Sequence, residues 1–356
     1  MTIYIVLYIF LLSSALISLF YKKENNKTKF LLLLLLIFVT LIAGTRYKTG
    51  VDFYSYLKMF KEINQNITEE RLFVYGVRFF KLFFNDLNIF LVVSVISAFF
   101  LYKTLDKNLH RYKLLSIYIY ITYHFFPQNM GQIRLSLAII LCLSSLYYVD
   151  LKMDNKKRLK VLSILVAAMY IHRTAAVFFI SFFIVRIKKI TKRFLTISLI
   201  ISCIVGKFMI NKKLICFSGI LLQNKKLMSM LYEGNINIKE VGFSYYQILI
   251  LGVALFLIIY NSKNKKILFL SKLYLLGCNF YFLFINLTIF SSRFSNILLS
   301  VDCLLYPLII NDTKNRYLKI GLSCFVIFIG GYIYFKDLYK VIDVLCPYKS
   351  WLFRNL

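Results

Sequence analysis

Hydrophobic residues form continuous runs along this chain, and short polar connections separate each run from the next. The runs do not alternate with polar residues, so they are typical of helices. Since every backbone amide at membrane depth must be bonded internally, the pattern predicts an all-α polytopic integral membrane protein with about 12 transmembrane helices. The runs are 2–20, 30–43, 87–102, 114–128, 135–149, 161–171, 174–185, 194–210, 244–260, 270–290, 294–310 and 320–335.

The composition agrees with a membrane protein. Of the 356 residues, 60% are hydrophobic, and the mean hydropathy of +0.72 lies well beyond that of a soluble domain. We find no soluble domain, no repeat and no glycine-rich phosphate loop, so we predict a single transmembrane domain over 1–356. The seven cysteines form no CxxC pair, which argues against a disulfide framework or a metal site.

The distribution of charge predicts the topology. In a soluble protein a net charge of +30 would point to nucleic acid, but here most basic residues lie between apolar runs, so we exclude that partner. The first run has no positive charge before it and lysines after it, unlike a cleavable signal peptide. Six alternate connections hold 24 Lys or Arg against 5 acids, which predicts six cytoplasmic loops and both termini outside, in the periplasm. These connections are 22–29, 103–113, 150–160, 186–193, 261–266 and 311–319.

The region 161–185 has two interpretations. Split at His172 and Arg173, each half spans only about 16–18 Å, less than a bilayer core of about 30 Å. Unsplit, it would form one tilted helix and invert the later topology. We prefer the hairpin because the connections on both sides are strongly basic and should share a face. In a hairpin, His172 lies below the outer surface.

Two long segments are predicted on the outside. Residues 44–85 form an external loop that contains the amphipathic piece 71–84, which is typical of a helix lying in the membrane interface. Residues 211–243 form the second external loop, a candidate lid or binding loop. The aromatic residues of the tail after 346 suit an interfacial anchor.

Arginines beside apolar runs are the first candidates for a site. Arginine is planar and permanently charged, so it suits phosphate oxygens, although a lone arginine more often extends to the lipid headgroups. Several of them on the face that the positive-inside bias should deplete favour an anionic, lipid-linked ligand. The four are Arg46, Arg134, Arg173 and Arg293.

Other residues add acid–base and sugar-binding chemistry. His172 lies at a predicted outer helix end. Because an imidazole titrates near neutrality, it could accept a proton from an attacking hydroxyl, and the alternative is a packed histidine. Asp52 follows Arg46 and is a candidate base or sugar ligand, or a plain loop charge. Tyr56 can stack on a sugar ring.

A different hypothesis concerns Asp302, in the middle of the run 294–310. A charge there costs at least about 2.5–3.5 kcal/mol on insertion scales, so the residue is functional by default and fits proton coupling. The alternative is a structural role, paired with Lys272 or bonded to Asn279 or Asn286.

These motifs together resemble the EpsG-like group of bacterial Wzy-type polysaccharide polymerases, over nearly the whole chain. The pattern Arg-x(3)-Gly-x-Asp-Tyr/Phe-x-x-Tyr comes after the second run, where this chain has Phe in place of the family's usual Tyr. Arg-x-x-Leu/Ile-Ala, His-x-Ser/Thr-Ala, a late Arg-Phe and a terminal Pro-Tyr-x-x-Trp/Phe follow it. The matching residues are Arg46, Gly50, Asp52, Phe53, Tyr56, Arg134, Ala138, His172, Thr174, Ala175, Arg293, Phe294, Pro347, Tyr348 and Trp351.

The resemblance implies a glycosyltransferase that polymerises undecaprenyl-diphosphate-linked repeat units at the outer face of the bacterial inner membrane, with O-antigen as the favoured product. Arg134 and Arg293 would bind the diphosphate, Arg46 with Asp52 would hold sugar or phosphate, and His172 would assist proton transfer. Arg173 and Tyr56 are further substrate-binding candidates. We expect no cofactor and no metal, and we expect membrane lipid, a chain-length regulator and a flippase as partners.

Two other functions stay open from the sequence. Twelve spans and Asp302 fit a lipid-linked oligosaccharide flippase or a proton-coupled transporter, but polarity concentrated on one face fits them poorly. An O-antigen ligase would share an external His/Arg site.

Overall fold

A computed structural model describes residues 1–20, 25–64, 70–149, 153–184, 192–208, 245–260 and 262–353. The predicted external loop 211–243 lies outside these residues. The described chain is helical and contains no strand. Its α-helices are α1 Thr2–Phe20, α2 Asn26–Gly44, α3 Phe53–Lys61, α4 Arg71–Lys81, α5 Asp86–Asn108, α6 Lys113–His124, α7 Ile133–Ser145, α8 Asn155–Ile171, α9 Ile180–Ile184, α10 Lys192–Lys207, α11 Tyr245–Ile259, α12 Lys265–Leu283, α13 Thr288–Leu299, α14 Asp302–Asp312, α15 Arg316–Lys340 and α16 Ile342–Leu345.

Six helical stretches in the described part of the chain are long and apolar enough to cross a membrane. The all-α fold class is therefore confirmed, and several apolar helices indicate a multi-pass membrane protein. Every predicted run contains helix, but the number of twelve spans and the outside position of both termini stay predictions. The six stretches are Thr2–Phe20, Asn26–Gly44, Asp86–Asn108, Lys265–Leu283, Phe290–Asp312 and Arg316–Lys340.

The contacts divide the chain into two compact units, and the first combines Met1–Ala176 with Asp302–Leu356. Helix α6 lies at its centre and contacts α1, α2, α14 and α15. Its sequence is apolar or aromatic on every face, so nearly every residue of the helix is buried. The hydroxyl of Tyr118 donates to the carbonyl of Ile327 at 2.6 Å, which satisfies a polar group inside the unit.

The second unit covers Val177–Val301. Helix α12 packs against α10, α11 and α13. The amide of Asn279 donates to Ser198 at 3.1 Å and accepts from Ser202 at 3.3 Å, so side-chain hydrogen bonds join α12 to α10. The prediction of a single transmembrane domain over 1–356 is not tested by this division of the contacts.

The helix boundary predicted near His172 is present. Helix α8 ends at Ile171, His172 is extended with φ −151° and ψ 118°, and a 3₁₀ turn follows over Arg173–Phe179. No continuous α-helix therefore runs through 161–185.

Residues Arg71–Lys81 of the amphipathic piece 71–84 form helix α4, which packs against α5 and α8 and buries Phe73, Val74 and Val77. Its position in the membrane interface stays a prediction.

Candidate functional site

The chain between α2 and α3 is built together with the C-terminal tail. Tyr47 N–H donates to Lys349 O at 2.8 Å, and Trp351 N–H donates to Thr45 O at 2.9 Å, with an antiparallel bridge between Arg46 and Ser350. The sequence predicted only an interfacial anchor for this tail. The structure shows that the tail also gives the backbone of 45–47 its hydrogen-bond partners.

Gly50 allows the end of this segment to approach the backbone of Met130 closely. Its φ of +105° lies in the region that favours glycine, and its N–H donates to Val344 O at 3.1 Å. A Cβ at this position would collide with the carbonyl oxygen of Met130. A side chain here would therefore push the 45–50 segment away from the chain that follows α6.

Arg46 is completely buried beside this glycine. Its Nη1 donates to Asn129 O at 2.7 Å and to Met130 Sδ at 3.6 Å, and its Cζ lies 4.9 Å from the centre of the Phe90 ring. Burial lowers the pKa of Arg46 to about 10, and nearby Tyr56 raises it, so the guanidinium stays charged at neutral pH. Its Nε and Nη2 have no hydrogen-bond partner among the described residues.

The second cluster joins Arg134, Glu70 and His172. Arg134 Nη1 donates to Glu70 Oε2, and Glu70 Oε1 lies 3.9 Å from His172 Nε2. His172 Nδ1 shares a hydrogen bond of 2.7 Å with the Thr174 hydroxyl. The side chains of Arg134, Glu70 and His172 retain 27%, 13% and 11% exposure, so the cluster is partly desolvated but reachable.

Three helix ends position this cluster. Glu70 immediately precedes α4, Arg134 lies in the first turn of α7, and His172 caps the C-terminus of α8. Since α8 packs against both α4 and α7, its end brings the three side chains together.

Tyr56, a residue of α3, lies beside this cluster. The Arg134 Cζ lies 5.5 Å from the centre of the Tyr56 ring, a distance at which a cation and an aromatic face attract each other. Burial raises the pKa of Tyr56, and the charge of Arg134 partly opposes that shift. The phenol therefore stays neutral at physiological pH and can donate a hydrogen bond.

The structure brings together only part of the residues that the sequence singled out. Arg134 and His172 lie on either side of Glu70, and Tyr56 lies against Arg134, whereas Arg46 is bonded to Asn129 and Met130. Asp52 is half-buried at the start of α3, and Arg173 is exposed. Arg293 belongs to the second unit, so its part in the site stays a prediction.

Glu70 was missed from the sequence. It is one of several acids in the long 44–85 segment, and no motif or periodicity separates it from Glu62 or Glu69. Its only distinction there is its position immediately before the amphipathic helix, and such a position does not by itself indicate function.

Within the described ranges, no group of three or more His, Cys, Asp or Glu could hold a metal ion. The arrangement instead combines a cation, a carboxylate and an imidazole, which can bind an anion and move a proton. Metal independence itself stays a prediction.

A comparison with protein families finds that the model of the EpsG family matches residues 29–350. The matched region contains Arg46, Glu70, Arg134 and His172. Comparisons with the curated proteins and with the solved structures give no match.

Proposed function

Since this chain belongs to the EpsG family, we propose that it is a Wzy-type polymerase, a membrane glycosyltransferase acting on undecaprenyl-diphosphate-linked oligosaccharide repeat units. The reaction takes place at the outer face of the bacterial inner membrane, and its product is O-antigen or a related surface polysaccharide. The family and the apolar helices support a role in membrane polysaccharide biosynthesis. The observation that carries the finer proposal is the Glu70 carboxylate placed between Arg134 and His172.

Arg134 binds the diphosphate in this proposal. The guanidinium is paired with Glu70 and stacked near Tyr56, and its Nε has no hydrogen-bond partner in the described part of the chain. An incoming diphosphate competes with Glu70 for Nη1, the donor that the carboxylate occupies. Substrate binding therefore frees the carboxylate at the moment when a base is required.

The Glu70 carboxylate then accepts the proton of the acceptor hydroxyl, and His172 assists by orienting that carboxylate. With the Thr174 hydroxyl donating to His172 Nδ1, the imidazole proton sits on Nε2 and faces Glu70. The acceptor oxygen bonds to the anomeric carbon of the growing chain as the bond from that carbon to the diphosphate oxygen breaks. The electron pair leaves with the diphosphate, whose developing charge Arg134 stabilises.

The other predicted residues have supporting roles in this proposal. Arg293 binds diphosphate, Arg46 with Asp52 shapes the region that receives sugar or phosphate, and Arg173 and Tyr56 contact substrate. Membrane lipid, a flippase that supplies repeat units and a chain-length regulator are the proposed partners.

The test is complementation of a deletion strain with Glu70→Gln, and with Glu62→Gln as the matched control at equal expression. Loss of a general base typically costs about 10²–10⁴-fold, so we expect Glu70→Gln to abolish the long polysaccharide ladder on a gel. Single repeat units should remain on their lipid carrier, detected by mass spectrometry. A full ladder from Glu70→Gln would contradict the assignment of the base.

A flippase or proton-coupled transporter is the second candidate, because Asp302 and His124 form a buried acid–imidazole pair at membrane depth. In the same strain, a transporter defect leaves carrier-linked repeat units on the cytoplasmic side. A polymerase defect leaves them outside, so periplasmic accessibility of the carrier-linked units separates the two.

A further inference from the structure

The first unit contains a second polar cluster that the proposed reaction does not use. His124 Nε2 lies 3.4 Å from Asp302 Oδ1, and His124 Nδ1 shares a hydrogen bond of 3.0 Å with Gln128 Nε2. All three residues are buried. The sequence offered Lys272, Asn279 or Asn286 as partners for Asp302, whereas the structure pairs it with His124.

The orientation of the Gln128 amide in the structure sets the direction of both hydrogen bonds. The Gln128 amide nitrogen donates to His124 Nδ1, so the imidazole proton sits on Nε2 and is donated to the Asp302 carboxylate. A carboxylate that orients an imidazole in this way also orients the group bonded to the other ring nitrogen. Here that partner is Gln128.

Gln128 belongs to a π-helix, Phe125–Asn129, which continues directly from α6. Met130 N–H donates to Phe125 O at 2.9 Å and Gln132 N–H to Pro127 O at 3.1 Å, both across five residues. Pro127 has no N–H to give to the ladder, and a widened turn is a regular way to accommodate such a residue.

The residue after Gln128 holds Arg46. The Asn129 carbonyl is the acceptor for Arg46 Nη1, and Met130 supplies the sulfur contact and the carbonyl that lies against Gly50. Asp302, His124, the π-helix and Arg46 are therefore in contact one after another. They lie in the first unit, although Asp302 and His124 are 178 residues apart in sequence.

We propose that Asp302 and His124 are positioning residues that hold the π-helix in the conformation that receives Arg46, and thereby fix the 45–50 segment that carries this arginine. A charge-bearing residue at this depth is costly, and positioning gives it a function other than transport. The inference rests on the proposed function only for its effect on polymer formation.

Trp351 offers a direct measurement of this positioning. It is the only tryptophan of the chain, its Nε1 donates to Gly44 O at 3.3 Å, and its backbone N–H bonds to Thr45 O. Its fluorescence therefore reports the segment that carries Arg46, and the measurement needs no turnover.

The experiment compares full-length purified Asp302→Leu, Asp302→Asn and Gln128→Met with the wild type, using emission and acrylamide quenching of Trp351. Asp312→Leu is the matched control, because it makes the same change at the other end of α14. We expect Trp351 emission to shift to the red and to be quenched more strongly in Asp302→Leu and Gln128→Met. In Asp302→Asn both quantities should return toward the wild-type values, and in Asp312→Leu they should not change. Polymer formation should fall about 10–100-fold in Asp302→Leu.

Gln128→Met keeps the test decisive if Asp302→Leu does not fold, because it removes only the amide between His124 and the Asn129 carbonyl. If Asp302→Leu does not elute as a single species on gel filtration, Gln128→Met decides alone. Wild-type Trp351 fluorescence in the folded variants would overturn the inference. If Trp351 emission shifts in the variants but the wild-type protein forms no polymer, the proposed function is overturned and the inference stands.

Discussion

Arg46 and Arg134 both lie close to the end of an apolar helix, yet their surroundings differ. Arg46 has no exposed surface, donates to a backbone carbonyl and lies against the Phe90 ring. Arg134 keeps part of its side chain exposed and is paired with the Glu70 carboxylate. An arginine without solvent contact organises the polypeptide around it, whereas one with an exchangeable anionic partner can exchange it for a ligand.

The comparison separates stability from activity. A buried guanidinium bonded to a carbonyl is costly to remove, because the carbonyl loses its partner and a cavity remains. A partly exposed ion pair contributes less to stability than a fully buried contact, since water still reaches and screens it. Substitution of Arg46 should therefore lower stability, and substitution of Arg134 should lower activity.

The largest expected effect is on activity in Arg134→Ala. Removing one preorganised donor from a developing anion typically costs about 10²–10³-fold, so polymer formation should fall by that factor while the protein still purifies as a folded species. Turnover of purified lipid-linked repeat units measures it. Arg134→Lys keeps the charge and should recover part of the activity, because a lysine cannot donate as a fork. Equal activity in Arg134→Ala and the wild type would remove the proposed anion site.

The second effect is on stability in Arg46→Ala. Loss of the guanidinium leaves the Asn129 carbonyl unpaired and empties a fully buried position, so we expect a loss of about 2–4 kcal/mol. Thermal unfolding of the detergent-solubilised protein measures the loss. Arg316→Ala removes an exposed arginine and is the control, with no expected change in Tm. If both variants unfold at the wild-type temperature, the structural role of Arg46 is wrong.

A smaller effect is expected in Thr174→Val, which keeps the shape of the side chain but removes the hydroxyl bonded to His172. A single orienting hydrogen bond is worth about 1 kcal/mol, so activity should fall roughly fivefold to tenfold. The fall should appear in kcat more than in KM, because the imidazole is needed for proton transfer. Thr174→Ser should restore activity, and a Thr174→Val enzyme with wild-type kcat would show that this hydrogen bond does not orient His172.

The smallest effect is expected from metal removal. The proposed reaction uses Arg134 for the diphosphate and Glu70 with His172 for the proton, so EDTA should leave the turnover of purified protein unchanged. Restoration of a lost activity by Mg²⁺ after EDTA treatment would show that the arginine is not the main diphosphate ligand.

The sequence by itself determined the helices and several of their ends. Continuous apolar runs at membrane depth admit little besides helix, and the polar His172–Arg173 pair correctly placed the end of α8. The resemblance found in the motifs agrees with the family match over residues 29–350. It also selected Arg134 and His172, which the structure places on either side of Glu70.

Only the tertiary structure decided which polar residues meet. Glu70 and Arg134 are 64 residues apart, and the tail reaches the 45–47 segment across about 300 residues, as Ser350 and Thr45 show at a separation of 305. Hydrophobic periodicity assigns each residue to a helix and a face, but it contains nothing about which helix ends pack side by side. Glu70 therefore looked like a loop acid, and nothing in the sequence indicated that Arg46 is fully buried. The packing of α4, α7 and α8 showed the neighbours of Glu70, and the π-helix after α6 showed those of Arg46.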